Sequence, residues 1–322
     1  MRIFVTGGNG FIGSVVVGEL VASGHEVVCL LRPGGRHDRL AGLAVEHVPG
    51  DVCDAGSFRQ AMSTCDCTIH LAAPGGWSRD DPSQLRRVIE GGARNVIAVA
   101  RDLRKHRVVL VSSTAAIGAS DVPQVFDERA VFAVRNRQLP YAYAKHRAEV
   151  LAWQACRDDV PVVIVNPSEV YGPNDIALGT ACNVIDFATS WPVLVCRGGT
   201  GIVHVADVAK GIVAAMERGQ PGERYILSAE NLTIRELAER VLDLLGRRAP
   251  IVDVPNVLAR TAAVVVARLH VPVPFNPSVV PYATRYWFVD NAKARRDLGV
   301  SFRDAEETLR STLSWLQAEG HV

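Results

Sequence analysis

Val5-Thr6-Gly7-Gly8-Asn9-Gly10-Phe11-Ile12-Gly13 is the stretch that decides the fold. An apolar run at 3–5 leads into it, and a segment with helical spacing, 12–23, leads out. Glycines at this junction allow a tight turn, close approach of the backbone to a ligand, and close packing of helix on strand. A pyrophosphate would lie at the N-terminus of the following helix, where Gly7, Gly10, Phe11, Ile12 and Gly13 bring free N–H groups and the helix dipole favours negative charge.

Outward from this turn the same alternation repeats. Residues 26–31, 44–48, 67–71, 107–111 and 162–165 read as short buried strands, and 57–62, 84–103 and 141–157 as helices. Continuous apolar strands separated by helices predict a parallel sheet covered on both faces, wound in two directions. After Asn166 proline and glycine punctuate the chain. Helices are expected there at 231–245 and 305–318, and 250–281 has no clear assignment. The expectation is an α/β chain. A doubly wound, parallel-sheet Rossmann domain spans 1–166, with a returning segment near 202–228. A smaller, irregular α/β substrate lobe covers most of 167–322.

Composition narrows the function. The 35 basic and 34 acidic side chains nearly cancel, and no basic stripe or tail stands out, so no nucleic-acid partner is expected. The seven cysteines form no C-x-x-C pair, and Cys65-Asp66-Cys67 is too tight for a zinc half-site. Free thiols and no metal are expected. The run 257–269 carries Arg260 and Arg268 and is too short to span a bilayer. With a strand beginning at Arg2 and no leader before it, a cytoplasmic protein without a membrane partner is the expectation.

The second strand ends Leu30-Leu31-Arg32-Pro33. An enzyme that uses NAD usually places an acid there, on the ribose 2′-hydroxyl. Leu31 takes that slot, and Arg32 and Arg36 follow. Guanidinium groups can grip a 2′-phosphate, so NADP(H) is the expected cofactor.

Pro140-Tyr141-Ala142-Tyr143-Ala144-Lys145 opens a helix, with Tyr141 and Lys145 one turn apart on one face. A phenol ordinarily titrates near ~10. A neighbouring ammonium favours the phenolate and makes proton transfer easier. Tyr143 points to the other side of the helix. The fifth strand ends Val111-Ser112-Ser113-Thr114, where ligands gather in a doubly wound sheet. Ser113 is the first choice to hold a substrate oxygen and Thr114 the second, with Ser112 better suited to capping the backbone. His204 and Asp207 suit capping and packing better than catalysis.

These features, with Asn166-Pro167-Ser168-Glu169-Val170-Tyr171-Gly172-Pro173, make the chain resemble the extended short-chain dehydrogenase/reductases, the NAD-dependent epimerase/dehydratase superfamily. Leu30-Leu31-Arg32-Pro33 looks most like its dihydroflavonol-reductase-like branch. The resemblance implies a catalytic Ser113, Tyr141 and Lys145. It implies that Asp51 and Val52 meet the adenine, that Leu71, Ala72 and Ala73 let the cofactor lie close, and that Pro167 and Val170 meet the nicotinamide carboxamide. It also implies a homodimer through the helices at 84–103 and 141–157. The chain departs from the family pattern at three places. Ile89 stands where Asn is common, and Ala144 precedes the helix lysine in place of Ser. Thr114-Ala115 replaces the Asp-Glu of the dehydratases.

The leading expectation is NADPH-dependent reduction of a ketone or aldehyde on a small molecule. A nucleotide-sugar epimerase using the same three residues is the alternative, and a non-catalytic NADP-sensing regulator a third reading. Trp77, Thr114, Tyr171 and Phe187 are the candidates for substrate contact.

Overall fold

The computed structural model describes residues 1–35, 38–74, 81–104, 106–134, 139–269 and 277–322. Arg36 and Trp77 lie outside the described residues. In chain order the strands are β1 (Arg2–Thr6), β2 (Glu26–Leu31), β3 (Val45–Pro49), β4 (Cys67–His70), β5 (Arg107–Val111), β6 (Val125–Phe126), β7 (Val162–Pro167), β8 (Glu169–Tyr171), β9 (Val193–Cys196), β10 (Gly199–His204), β11 (Arg224–Leu227), β12 (Glu230–Thr233), β13 (Ile251–Val254) and β14 (Tyr286–Val289). The helices are α1 (Phe11–Ala22), α2 (Arg59–Ser63), α3 (Pro82–Leu85), α4 (Gly92–Asp102), α5 (Pro140–Arg157), α6 (Ala181–Thr189), α7 (Val205–Arg218), α8 (Ile234–Leu244), α9 (Asn256–Leu269), α10 (Val280–Ala283), α11 (Ala292–Leu298) and α12 (Ala305–Ala318).

Seven strands form one parallel sheet in the order β11-β7-β5-β4-β1-β2-β3. Its inner strands are largely apolar on both sides because both sides are covered, whereas β3 at the edge, expected as a buried strand over 44–48, leaves Glu46, His47 and Pro49 exposed. Ile3 and Val5 of β1 enter one core with Val16, Val17 and Leu20 of α1 and Ile212 of α7, while Phe4 enters another with Val96 of α4 and Ala148 of α5. β2 and β5 divide their side chains in the same way. The winding reverses between β1 and β4, so their C-terminal ends open a crevice.

A second sheet, β12-β10-β14-β6, with β8 beside β10, takes all its strands from beyond β7 except β6, which comes from the first half of the chain, and β13 and β9 form a small parallel pair. A third core lies under it, with Tyr171, Val184, Ile202, Leu237 and Leu309 among its members. β11 also comes from beyond β7 and returns to the edge of the large sheet.

Two expected elements differ. The helix expected over 84–103 is interrupted by a π-helical turn, Arg86–Gly91, between α3 and α4. The one expected from 231 begins at Ile234, because Thr233 and Glu236 form a capping box and residues 230–233 pair with β10.

Candidate active site

The glycine turn is built to leave space. Gly7 has φ +73°, and a Cβ on it would lie 2.8 Å from the Ala72 nitrogen. A Cβ on Gly13 would sit 2.0 Å from the Gly7 carbonyl, so helix and turn meet only through glycine. Gly10 caps α1 without a side-chain hydrogen bond, which leaves the first-turn N–H groups for an outside acceptor. The residues thus fit the phosphates of a dinucleotide. The next strand, β2, ends in a buried Leu31, with Arg32 exposed just beyond. Arg39, which the sequence reading passed over, reaches back to the turn. Its guanidinium donates to the carbonyls of Asn9 (3.2 Å) and Asn174 (3.1 Å).

On the adenine side, Asp51 accepts the Cys53 N–H at 2.8 Å, and the Val52 carbonyl accepts Asn95 Nδ2 at 2.8 Å. Gly92 leaves room for Val52, which would otherwise lie 3.1 Å from its Cβ. Ile89 is buried in the π turn, facing the core that includes Ala144 and Ala148.

At the mouth of β4, Thr6 Oγ1 meets His70 Nδ1 at 2.7 Å and accepts the Ala72 N–H at 3.3 Å. This pins Leu71 and Ala72, with Ala73 exposed beyond. Burial, and then the positive charge of Lys145, push the His70 imidazole down to about 3, so it stays neutral. Lys145 is therefore held beneath the crevice. Its ammonium donates to the Val111 carbonyl at 2.8 Å and lies 5.8 Å from the centre of the Tyr141 ring. Burial pulls Lys145 down to about 8, with the Glu149 charge opposing.

Glu149, one further turn along α5, was not singled out from the sequence, although Tyr141, Lys145 and Glu149 are spaced i, i+4, i+8. It accepts Ser112 Oγ (2.5 Å), Asn166 Nδ2 (2.6 Å) and Arg224 Nη1 (3.1 Å). Burial pushes its carboxyl up, and the Arg224 charge and these donors pull it back. Asn166 Nδ2 also donates to the Ser113 carbonyl at 2.9 Å, tying the end of β5 to the end of β7.

The capping expected of Ser112 falls to Ser113. Ser113 caps the turn that follows, accepting the Ala115 N–H at 3.2 Å, and Ser112 serves Glu149. Ser113 keeps a hydroxyl proton to donate and stays half-buried at the strand end, whereas Thr114 is buried. Tyr141 packs beside Ala115, Leu139 and Trp287, with Phe132 and Tyr282 around them. Tyr143 turns away, edge-on to Phe132.

At the end of β7, Pro167 and Val170 are buried, and Asn166 Oδ1 and Ser168 Oγ are buried without a protein partner. Those two atoms suit a polar ligand at the nicotinamide end. Tyr171 and Phe187 correct an expectation: they are 1% and 8% exposed and fill the third core, so their rings pack instead of facing substrate. Glu169 begins β8, two residues before Tyr171. It stays partly accessible although protein surrounds it, and it accepts Asn183 Nδ2 at 2.6 Å. Burial pushes its carboxyl up to about 7, against the pull of Tyr171, Thr200 and Asn183. His204 and Asp207 are structural, as expected. His204 Nδ1 accepts the Ala206 N–H, and Asp207 pairs with Arg303 at 2.7 Å. Among the described residues no group of His, Cys, Asp and Glu is arranged to hold a metal.

A strand–glycine turn–helix at the switch point, a buried lysine under a tyrosine one turn away, and a hydroxyl at the end of β5 define a Rossmann-type redox site. The NAD dependent epimerase/dehydratase family model matches residues 3–228, and the chain belongs to this family. A Synechocystis protein provisionally named dihydroflavonol 4-reductase is 33% identical, over 99% of this chain and 95% of its own length. A Stigmatella aurantiaca ketoreductase acting on 4-hydroxy-2-methyl-3-oxo-4-farnesyl-3,4-dihydroquinoline-1-oxide is 30% identical, over 94% and 92%. The crystal structure of a nucleoside-diphosphate-sugar epimerase from Pseudomonas aeruginosa superposes with a TM-score of 0.82 at 25% identity, covering 100% of this chain and 99% of that one.

Proposed function

We propose that the chain is an NADP(H)-dependent reductase of a ketone or aldehyde on a small, largely apolar molecule. The observation that carries this reading is the buried Lys145 beneath Tyr141 at the crevice of the doubly wound sheet. When bound, the nicotinamide supplies the hydride. Tyr141 gives its phenolic proton to the carbonyl oxygen, and Ser113 donates a hydrogen bond that holds that oxygen in place. The Lys145 charge favours the phenolate left behind, and its remaining N–H groups can hold the nicotinamide ribose. Gly7, Gly10, Phe11, Ile12 and Gly13 take the pyrophosphate, and Asp51 and Val52 the adenine. Leu71, Ala72 and Ala73 border the ribose side, with Pro167 and Val170 at the carboxamide. Arg32 selects the 2′-phosphate. Reductases among the relatives support the direction of the chemistry. The aromatic wall of Phe132, Tyr282 and Trp287 near Tyr141 supports an apolar substrate. A homodimer would place a second copy on the groove between α4 and α5, where Ile97, Ala98 and Leu151 lie among Arg94, Arg101, Arg157 and Asp158, and a reducing, cytoplasmic setting suits seven free thiols.

Tyr141→Phe tests the reading. Turnover of NADPH with a responsive ketone should fall about 10²–10⁴-fold, while NADPH still binds in a fluorescence titration. Unchanged turnover removes Tyr141 from the chemistry. Likeness to the sugar-nucleotide epimerase supports a second reading, in which the same residues serve a cofactor that is never released. Turnover without added NADP(H), on a cofactor that copurifies, would establish it. NADPH binding without oxidation across a broad carbonyl panel would favour the sensing regulator.

A further inference from the structure

The reaction proposed above leaves Glu169 without a task, although in sequence it falls between Pro167 and Val170. Strand register fixes where it points. At Ile202, β10 has Glu230 of β12 on one side and Glu169 of β8 on the other. At Thr200 it has Leu232 of β12 on the first side and Trp287 of β14 on the second. β8 and β14 therefore meet the same edge of β10, and Glu169 and Trp287 stand two residues apart along it, roughly 7 Å. Residues paired across parallel strands share a face, as do residues i and i+2 along one strand. Glu169, Thr200 and Trp287 are thus on one face of the second sheet. Trp287 packs with Ala115 and Leu139 around Tyr141. The carboxyl is on the side of the sheet that carries the wall of the proposed proton donor.

Its neighbours leave it one free acceptor and no counter-charge. Tyr171 and Ile202 on this face are buried, whereas Thr200, Glu169 and Asn183 stay half-buried, as Tyr141 does. α6 is fastened over β8, because Thr180 Oγ1 donates to the Val170 carbonyl and Asn183 Nδ2 to Glu169 at 2.6 Å. The groups that hydrogen-bond the carboxyl are all neutral: Tyr171, Thr200 and Asn183. A carboxylate accepts about four hydrogen bonds, so a position remains for another donor. Among the described residues no arginine or lysine offsets the burial of Glu169. Burial pushes the Cys182 thiol, beside Asn183, up to about 12, and the Asp186, Glu169 and Asp175 charges act in the same direction. The field in this recess is therefore negative.

We propose that Glu169 is a specificity-determining residue: its carboxyl accepts a hydrogen bond from a hydroxyl of the substrate, beyond the reducible carbonyl, and turns away molecules that carry phosphate or carboxylate. An anion entering this recess meets like charge. An ammonium would have to leave water to join a buried carboxyl, a cost that often exceeds the attraction. A neutral hydroxyl loses less and fills the open acceptor position. The diphosphate of a sugar nucleotide would meet the same repulsion. The position of the carbonyl at Tyr141 and Ser113 rests on the reductase reading. The preference for a neutral donor over an anion does not.

Matched ketones test this: 4-acetylphenol, its methyl ether and 4-acetylbenzoate, and their homologues with one or two methylenes between ring and substituent. Calorimetry on the NADP+ complex, where the ketone cannot be reduced, gives Kd, and NADPH oxidation gives kcat and KM. At the best-fitting length the wild type should bind the hydroxyl probe at least about 10-fold more tightly than the ether and about 100-fold more tightly than the carboxylate. Glu169→Gln should narrow the hydroxyl-to-carboxylate ratio at least about tenfold, with the change in Kd and KM more than in kcat. A thermal melt checks that the variant is folded, and the wild-type ratios are read independently of it. Equal binding of the three wild-type ligands at every length overturns the assignment, as does a ratio unmoved in Glu169→Gln. Failure of every hydroxyl probe to bind at millimolar concentration overturns it too. Selective binding without NADPH oxidation would end the reductase reading and keep Glu169 as the anchor. Oxidation with equal KM for all three would keep the reductase reading and end this one.

Discussion

At Arg32 the chain has just left a strand whose last residue, Leu31, is buried. The arginine's position fits cofactor choice, because its charge is felt on the adenine side. Burial raises the Cys53 thiol, the Asp51 hydrogen bond and charge add to this, and the Arg87 and Arg32 charges oppose it. No carboxylate takes the slot at Leu31. Arg32→Ala should weaken NADPH binding about 10–100-fold, the scale of losing a charge-assisted contact, and change NADH binding by less than about threefold. Parallel titrations measure both. Tighter NADH binding by the wild type would contradict the assignment. Glu169 leads to a prediction about pH. Its folded carboxyl titrates near 7, well above the ordinary glutamate range, because of burial. Between that range and about 7 the folded chain holds a proton the unfolded chain has released. The stabilisation is complete at low pH and is lost as pH rises through 7. Glu169→Gln stays neutral and can still accept from Asn183. It should match the wild type near pH 5 and exceed it by about 1–3 kcal/mol near pH 8. Urea melts at both pH values check this, and parallel pH dependence of the two proteins would mean the carboxylate is well hydrated.

Strands and helices differ in how much of them the sequence shows. β2 and β5 match their expected bounds because each is an unbroken apolar run buried on both faces, and that pattern is local. The glycine turn was legible for a similar reason: Gly7 and Gly13 answer to backbone collisions within the turn and its neighbouring strand. The π turn at Arg86–Gly91 was not legible, since its residues carry no break signal and the i→i+5 bonding is set by the packing around it. The start of α8 had a visible signal, Thr233 with Glu236, but the strand before it depends on Asn231 exchanging hydrogen bonds with Val289, far along the chain. β13 within the unassigned 250–281 stretch likewise exists because β9 lies beside it. In the candidate site, Tyr141 and Lys145 could be read from helical spacing. The burial of Tyr171 and Phe187, and the partners of Ser112 and Ser113, depend on which neighbours close over them.

The buried pair Arg224–Glu149 ties distant parts of the chain together. Arg224 sits on β11, the strand that returns to the sheet edge, and Glu149 on α5, the helix of Tyr141 and Lys145. Arg224 also donates to the carbonyls of Glu128 (2.8 Å) and Ala130 (2.6 Å), while Glu149 holds Ser112 and Asn166. Five separated segments therefore meet at two side chains that are almost wholly buried. Removing the cation alone leaves a carboxyl with hydrogen-bond donors but without its paired guanidinium in a dry site, so Arg224→Leu should cost about 3–5 kcal/mol in a urea melt. Glu149→Leu with Arg224→Leu removes both charges. The double variant should be less destabilised than the sum of the two single changes by at least about 1 kcal/mol. The same loss has a local consequence. A Glu149 that takes up a proton no longer favours the Lys145 ammonium, and burial then acts on that lysine unopposed. The pH at which NADPH turnover loses its lysine-dependent phase should therefore move down in Arg224→Leu. Additive stabilities in the double-mutant cycle, together with an unmoved pH profile, would mean that the pair is held in place by its surroundings and neither fastens β11 to α5 nor sets the charge beneath Tyr141.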